Sequence, residues 1–196
     1  MADYCTLDEV KSELDITSEE NDDMLQGMIG QAKEFIDNFC DRQFDTIAAT
    51  RYFDGAGPLL FIDDLTSISG GSDGIFLDED GDGTFATTAM TATDYILYPL
   101  NDTPKTIARI SPNSNYSGFA SGIKKGVKIV ATWGYGSTVP ELIRRASIIQ
   151  VCRWFKRKDS AFGDVIGTSE LGTISMYKGL DPDIAQIFKP YKRWRM

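Results

Sequence analysis

Val127-Lys-Ile-Val-Ala-Thr-Trp133, then Gly134-Tyr-Gly136, then Thr138-Val-Pro-Glu141 is the stretch whose reading decides the fold. A β-branched run closed by an aromatic reads as a strand. The two glycines read as a flexible exit from it. Thr138 followed three residues on by Glu141 matches a capping box with proline in the first turn, so helical structure resumes there. Upstream, from about 50 to 138, the chain keeps the character of that strand: short β-branched and aromatic runs split by glycine, proline, aspartate and serine. Strands are expected at 51–53, 59–62, 74–77, 95–98, 106–110 and 127–133.

Downstream, the helix opened at Thr138 is apolar around most of its circumference, with Leu142, Ile143, Ala146, Ile148, Ile149, Val151, Cys152, Trp154 and Phe155. A helix so widely apolar is buried on several sides, in a bundle or against a neighbouring subunit. A glycine-punctuated stretch follows Lys158, and 181–196 reads as a helix and then an extended tail. At the other end, Thr6-Leu-Asp-Glu9 and Thr17-Ser-Glu-Glu20 are two further capping boxes. The second precedes Met24, Leu25, Met28, Ile29, Ala32, Phe35, Ile36 and Phe39, which share one helical face. The expectation is an α+β protein: helices at 1–48 and 139–196 form a bundle built from both chain ends, with an antiparallel β domain, 49–138, inserted between them.

Composition excludes several kinds of chemistry. With no histidine among 196 residues, the usual general base and commonest metal ligand are missing. Cys5, Cys40 and Cys152 are odd in number and too widely spaced for a metal knuckle, so they read as buried thiols of a reducing compartment. No apolar run nears the roughly 20 residues that cross a bilayer, and Met1 to Val10 lacks the pattern of a signal peptide. The expectation is a protein made in the cytoplasm with no membrane partner. Net charge is −9, unevenly placed: residues 1–100 hold 22 acids against 4 bases, and residues 141–196 hold 11 bases against 6 acids. The acidic part repels DNA phosphates.

Asp78-Glu-Asp80-Gly-Asp82-Gly83 resembles the first half of a calcium loop, which needs carboxylates at positions 1, 3 and 5 and glycine at 6. Its twelfth position is Ala89, where a bidentate acid belongs, and Asp-Gly between apolar runs equally marks a solvated turn. Asp63 and Asp64, with Asp54 and Asp94, are candidates for a carboxylate pair, but neighbours on a strand point to opposite faces and an acidic loop edge accounts for them as well. Gly134-Tyr-Gly136 lacks the third glycine of a dinucleotide fingerprint. Basic and aromatic residues interleave at 154–158 and 191–195, either as a nucleic-acid platform or as an anchor for a protein partner. Neither a catalytic residue nor a cofactor is expected.

In order, several segments resemble the head-to-tail connector (adaptor) family of tailed phages and phage-like particles. They are Thr6-Leu-Asp-Glu-Val-Lys-Ser-Glu-Leu-Asp-Ile16, Ala32-Lys-Glu-Phe-Ile-Asp-Asn-Phe-Cys-Asp-Arg42, Tyr52-Phe-Asp-Gly55, Leu60-Phe-Ile-Asp-Asp-Leu65, Tyr95-Ile-Leu-Tyr-Pro99, Val127 to Gly136, Val139-Pro-Glu-Leu-Ile-Arg-Arg-Ala146 and Ile187-Phe-Lys-Pro-Tyr-Lys-Arg-Trp194. The resemblance implies a non-enzymatic virion protein at the head-tail junction: a ring of twelve copies below the portal, with a tail or stopper protein beneath and genomic DNA passing through the bore. It further implies that the C-terminal segment engages the portal, with Ile187, Phe188, Pro190, Tyr191, Arg193, Trp194 and Arg195 as contacts. Its 49–138 insertion is longer than in the shortest connectors. Two other readings of the residues stand beside this one: a calcium-dependent binding module using the Asp78 to Asp82 loop, and a basic-tailed nucleic-acid-binding protein.

Overall fold

The computed structural model describes residues 3–159, 165–168, 172–175 and 182–193. Among the described residues, four helices and an antiparallel six-stranded sheet make it a mixed α+β protein. The chain divides into two compact units, one of residues 1–42 and 139–196, the other of residues 43–138.

In the first unit, α1 (Leu7–Leu14) starts as its sequence dictates. Thr6 accepts from the Glu9 amide, and the Glu9 carboxylate accepts from the Thr6 amide. Two other expected boxes are not used. Helix α2 (Asp22–Cys40) begins after Asn21, while Ser18 of the Thr17 box accepts from the Glu20 amide in a local turn. Helix α3 (Glu141–Asp159) begins after Pro140, whose carbonyl accepts from the Arg144 amide, so Thr138 lies outside it. Proline fixes the backbone that opens the helix, and the side chain of Thr138 is not needed.

The apolar face of α2 buries Leu25, Ile29, Ala32, Ile36 and Cys40. Leu25, Ile29 and Ala32 join Cys5, Val10, Ile148, Val151, Cys152 and Phe155 in one cluster. Each fully buried large aliphatic is worth roughly 1.5–3 kcal/mol there. Helix α3 buries Ile143, Ala146, Ser147, Ile148, Gln150, Val151, Cys152 and Phe155, which cover most of its circumference, and leaves Leu142 half exposed. Glu9 receives Arg144, and Glu13 receives both Nη atoms of Arg145 at 2.6 and 2.9 Å, so α1 is also charge-paired to α3. Burial, aided by nearby carboxylates, pushes the three thiols up, that of Cys40 to about 11. They are therefore neutral and inert near neutrality. Strands β7 (Val165–Thr168) and β8 (Gly172–Ser175) pair antiparallel where only a glycine-punctuated stretch was expected. Helix α4 (Pro182–Phe188) buries Ile184 and Phe188.

The second unit contains β1 (Ile47–Phe53), β2 (Leu59–Ser67), β3 (Gly74–Leu77), β4 (Tyr95–Tyr98), β5 (Lys105–Ile110) and β6 (Val127–Trp133). Their order is β1-β6-β2-β5-β4, with β3 also beside β6. β6 buries Val127, Ile129, Ala131 and Trp133, every second residue, and β1 pairs along its whole length. A register shift in β2 between Phe61 and Leu65 lets its first residues pair β5 and its last ones β6. Asp63, at that irregularity, accepts from Arg51 at 2.8 Å, and the Arg51 guanidinium lies 4.6 Å over the ring of Trp133. The indole Nε1 donates to the Ala49 carbonyl at 2.8 Å.

The first glycine after β6 makes a tight junction and not the flexible exit expected. Gly134 has φ +134°, its amide donates to the Asp64 carbonyl at 2.8 Å, and a Cβ there would lie 2.2 Å from the Asp45 oxygen. Gly55 is equally constrained, because a Cβ would fall 1.7 Å from the Ala120 carbonyl oxygen. Replacing Trp133 with phenylalanine leaves the Ala49 carbonyl without its donor and opens a cavity. Urea denaturation of Trp133→Phe, followed by far-UV circular dichroism, is expected to show a loss of about 2 kcal/mol.

Candidate partner-binding site

The tail residues read as portal contacts fall into three groups. Phe188 is fully buried, its ring 5.3 Å from that of Phe39, so it anchors α4 inside its own unit. Ile187, Tyr191 and Arg193 are half-buried, and Pro190 is exposed. Trp194 and Arg195 lie outside the described residues. The backbone after α4 is held in place: the Tyr191 and Lys192 amides donate to the Phe188 carbonyl at 3.0 Å, and the Arg193 amide donates to the Cys40 carbonyl at 2.8 Å. That last bond caps the end of α2, whose final carbonyls have no partners within the helix. Lys192 sits 5.3 Å over the ring of Phe39. The tail thus leaves its helix as a fixed turn, with Pro190, Tyr191 and Lys192 on its outer side. Sequence spacing gave no sign that Phe188 differs from its aromatic neighbours, because its partner Phe39 lies far away along the chain.

The aspartate turn is the second candidate. Carboxylate oxygens of Asp78, Asp80 and Asp82 lie within 4.8 Å of one another. Both oxygens of Asp78 are already engaged, Oδ1 accepting from the Gly81 amide at 2.7 Å and Oδ2 from the Gly83 amide at 2.9 Å. Desolvation works to raise the Asp78 carboxyl, yet the backbone donors of Gly81, Gly83 and Asp82 and the contact with Asp80 outweigh it and hold the group below the usual value of 3.8. Asp82 accepts from the Thr84 amide at 2.6 Å. The turn is closed by its own backbone, as Asp-rich turns are.

The other acids do not pair with one another. Asp54 receives Lys124 and the Lys125 amide, Asp94 receives Thr91 and Ser114, and Asp63 receives Arg51. Each forms a clasp with its own partners.

A chelator such as EDTA is expected to leave the melting temperature unchanged, since the turn holds its shape through amide donors; a drop of several degrees would mark a bound cation. Asp78→Asn tests the clasp itself. A carboxyl held below its ordinary value adds stability above pH 3.8, and that stability is lost as pH falls through the lowered value. The melting-temperature gap between wild type and Asp78→Asn is therefore expected to be widest near neutral pH and to close below about pH 3.8.

Comparison with known proteins supplies the remaining evidence. A chain in the neck of an empty GTA particle computed with C6 symmetry shares the fold, with TM-score 0.55 and 12% identity over 97% of this chain and 90% of that one. A chain in the virion of a native gene transfer agent particle has TM-score 0.49 and 16% identity, with 97% and 90% covered. One in the neck of the native particle computed with C12 symmetry has TM-score 0.49 and 14% identity, with 88% and 84% covered. No curated protein matches the chain. The family model of phage gp6-like head-tail connector proteins matches residues 4–67, the stretch that carries α1, α2, β1 and β2. Over those residues, about a third of the chain, it is similar to the phage gp6-like head-tail connector proteins.

Proposed function

We propose that this protein is a ring-forming adaptor of the virion neck, placed at the head-tail junction between the portal and the tail or stopper protein, with DNA passing through its bore. The match of residues 4–67 to the connector family carries this reading. The fold shared with a chain from a particle neck supports it, and a twelve-membered ring satisfies the sixfold symmetry used for that neck. Helices from both chain ends would form one bundle, a reading supported by the cluster that joins Val10, Leu25 and Ile29 to Val151 and Phe155. The inserted β domain would then be a separate body carried by that bundle.

The work of such a protein is geometric, and its charge suits it. A chain with 29 acids against 20 bases gives the bore a surface that DNA slides past without sticking. Without histidine the chain lacks the commonest general base. The portal would be met by the turn after α4, through Pro190, Tyr191, Arg193 and the residues beyond. Phe188 stays inside the fold and holds that turn in position.

Electron microscopy of particles carrying a small tag on the N-terminus of this protein is expected to show a ring of label between head and tail; label absent from particles, with the protein free in the lysate, overturns the reading. A variant lacking residues 194–196 with Tyr191→Ala, Phe188 being kept, is expected to fold with an unchanged melting temperature yet to co-sediment poorly with portal-bearing heads. Binding equal to wild type would remove the tail from the portal contact.

A further inference from the structure

One half of the sheet is apolar on both faces. In β2, Leu60 and Ile62 point into the core, and Leu59 and Phe61 point the other way. The antiparallel register sets Phe61 opposite Ile107 and Ile107 opposite Tyr98, and sets Leu59 opposite Arg109 and Arg109 opposite Ile96. Side chains directly opposite on neighbouring strands share a face. The outer face of β2, β5 and β4 is therefore built of Leu59, Phe61, Ile96, Tyr98, Ile107 and Arg109. Phe61 is 62% exposed and Leu59 40%. Leu100, 61% exposed, follows at the end of β4 in a loop pinned by Lys105, whose ammonium donates to the carbonyls of Pro99 and Leu100 at 2.5 and 2.9 Å.

A solvated sheet face normally alternates with polar residues. This one leaves Phe61 and Leu59 open to solvent beside the exposed Leu100, and exposed apolar residues grouped on a soluble chain mark a binding surface. Alternation along β5 puts two cations on this face: Lys105, engaged by the Pro99 and Leu100 carbonyls, and Arg109, which has no counterpart. Arg109 is exposed, its two cross-strand neighbours are apolar, and among the described residues no carboxylate pairs with it. Aromatic and aliphatic anchors around a single arginine are the composition of an interface centre. A carboxylate on the matching surface would complement it.

We infer that this face is the seam between neighbouring copies of the chain. A second copy brings the complementary charge: a net −9, with the exposed acids Glu79, Asp80 and Asp82 on a turn of the same unit. In a closed ring each copy offers one face to a different face of the next, so the apolar face meets an acid-bearing surface and not itself. The inference rests on the ring reading proposed above and adds to it the surface by which the ring closes.

The test places the photo-crosslinker p-benzoylphenylalanine at position 61, in the full chain, within cells that assemble the particle. Because the Phe61 side chain is mostly exposed, the substitution is expected to leave the melting temperature unchanged. Expected is a band at twice the 21.7 kDa of the chain, whose crosslinked peptide comes from another part of the same chain, and its loss in Arg109→Glu. An adduct to a different protein only, a peptide from the same face, or no adduct while the chain is present in particles would overturn the inference and leave the adaptor reading standing. Particles that lack the chain would overturn both.

Discussion

The hydrogen-bonded environment of β6 is the constraint on which the 43–138 unit depends. A strand with partners on both sides, burying alternate residues, has no freedom of register: a slip of one residue would turn Val127, Ile129, Ala131 and Trp133 outward and Lys128 inward. β1, β3 and the end of β2 all take their positions from it. The irregularity in β2 then passes the sheet on to β5 and β4. Trp133 ties these parts together through its bond to Ala49 and the Arg51 guanidinium above its ring, and Asp63 fixes that guanidinium from β2. The close approach of Gly134 to Asp45 is the consequence of ending such a strand without slack.

In the unit of residues 1–42 and 139–196, the corresponding constraint is the burial of α3. A helix with a single apolar stripe needs one neighbour, whereas one buried over most of its circumference needs several, and this is why α1, α2 and α4 all pack against it. Buried polar groups on such a helix need partners. Ser147 shares a hydrogen bond with the Cys5 thiol at 3.4 Å, one of the contacts that specify how α3 sits against the segment before α1.

Surfaces that could meet partners are defined by what these two cores leave over. Phe188 was legible as an aromatic in a basic tail, yet it is consumed by packing on Phe39, whereas Pro190 is exposed. The aspartate turn, legible as a possible cation loop, is spent on its own amides. The apolar face of β2, β5 and β4 escaped the sequence reading altogether. Leu59-Leu60-Phe61-Ile62 is a continuous apolar run, which a fully buried strand also shows, and only the exposure of Phe61 tells the two apart.

Local signals were sufficient wherever one residue type has one dominant use. Thr6 and Glu9 cap α1 as their spacing dictates, the 3.6-residue rhythm locates α2, and the β-branched runs at 74–77, 95–98 and 127–133 are strands to the residue. The alternation of helical ends with a strand-rich middle also determined the α+β class. Tertiary structure decided the rest: which of the three capping boxes opens a helix, which glycine makes a close approach, which aromatic faces inward, and that Arg109 has no carboxylate partner among the described residues. Capping and periodicity act between residues three or four apart, so they are written in the chain itself. Strand order, burial and charge pairing join residues tens of positions apart, and no local pattern encodes them.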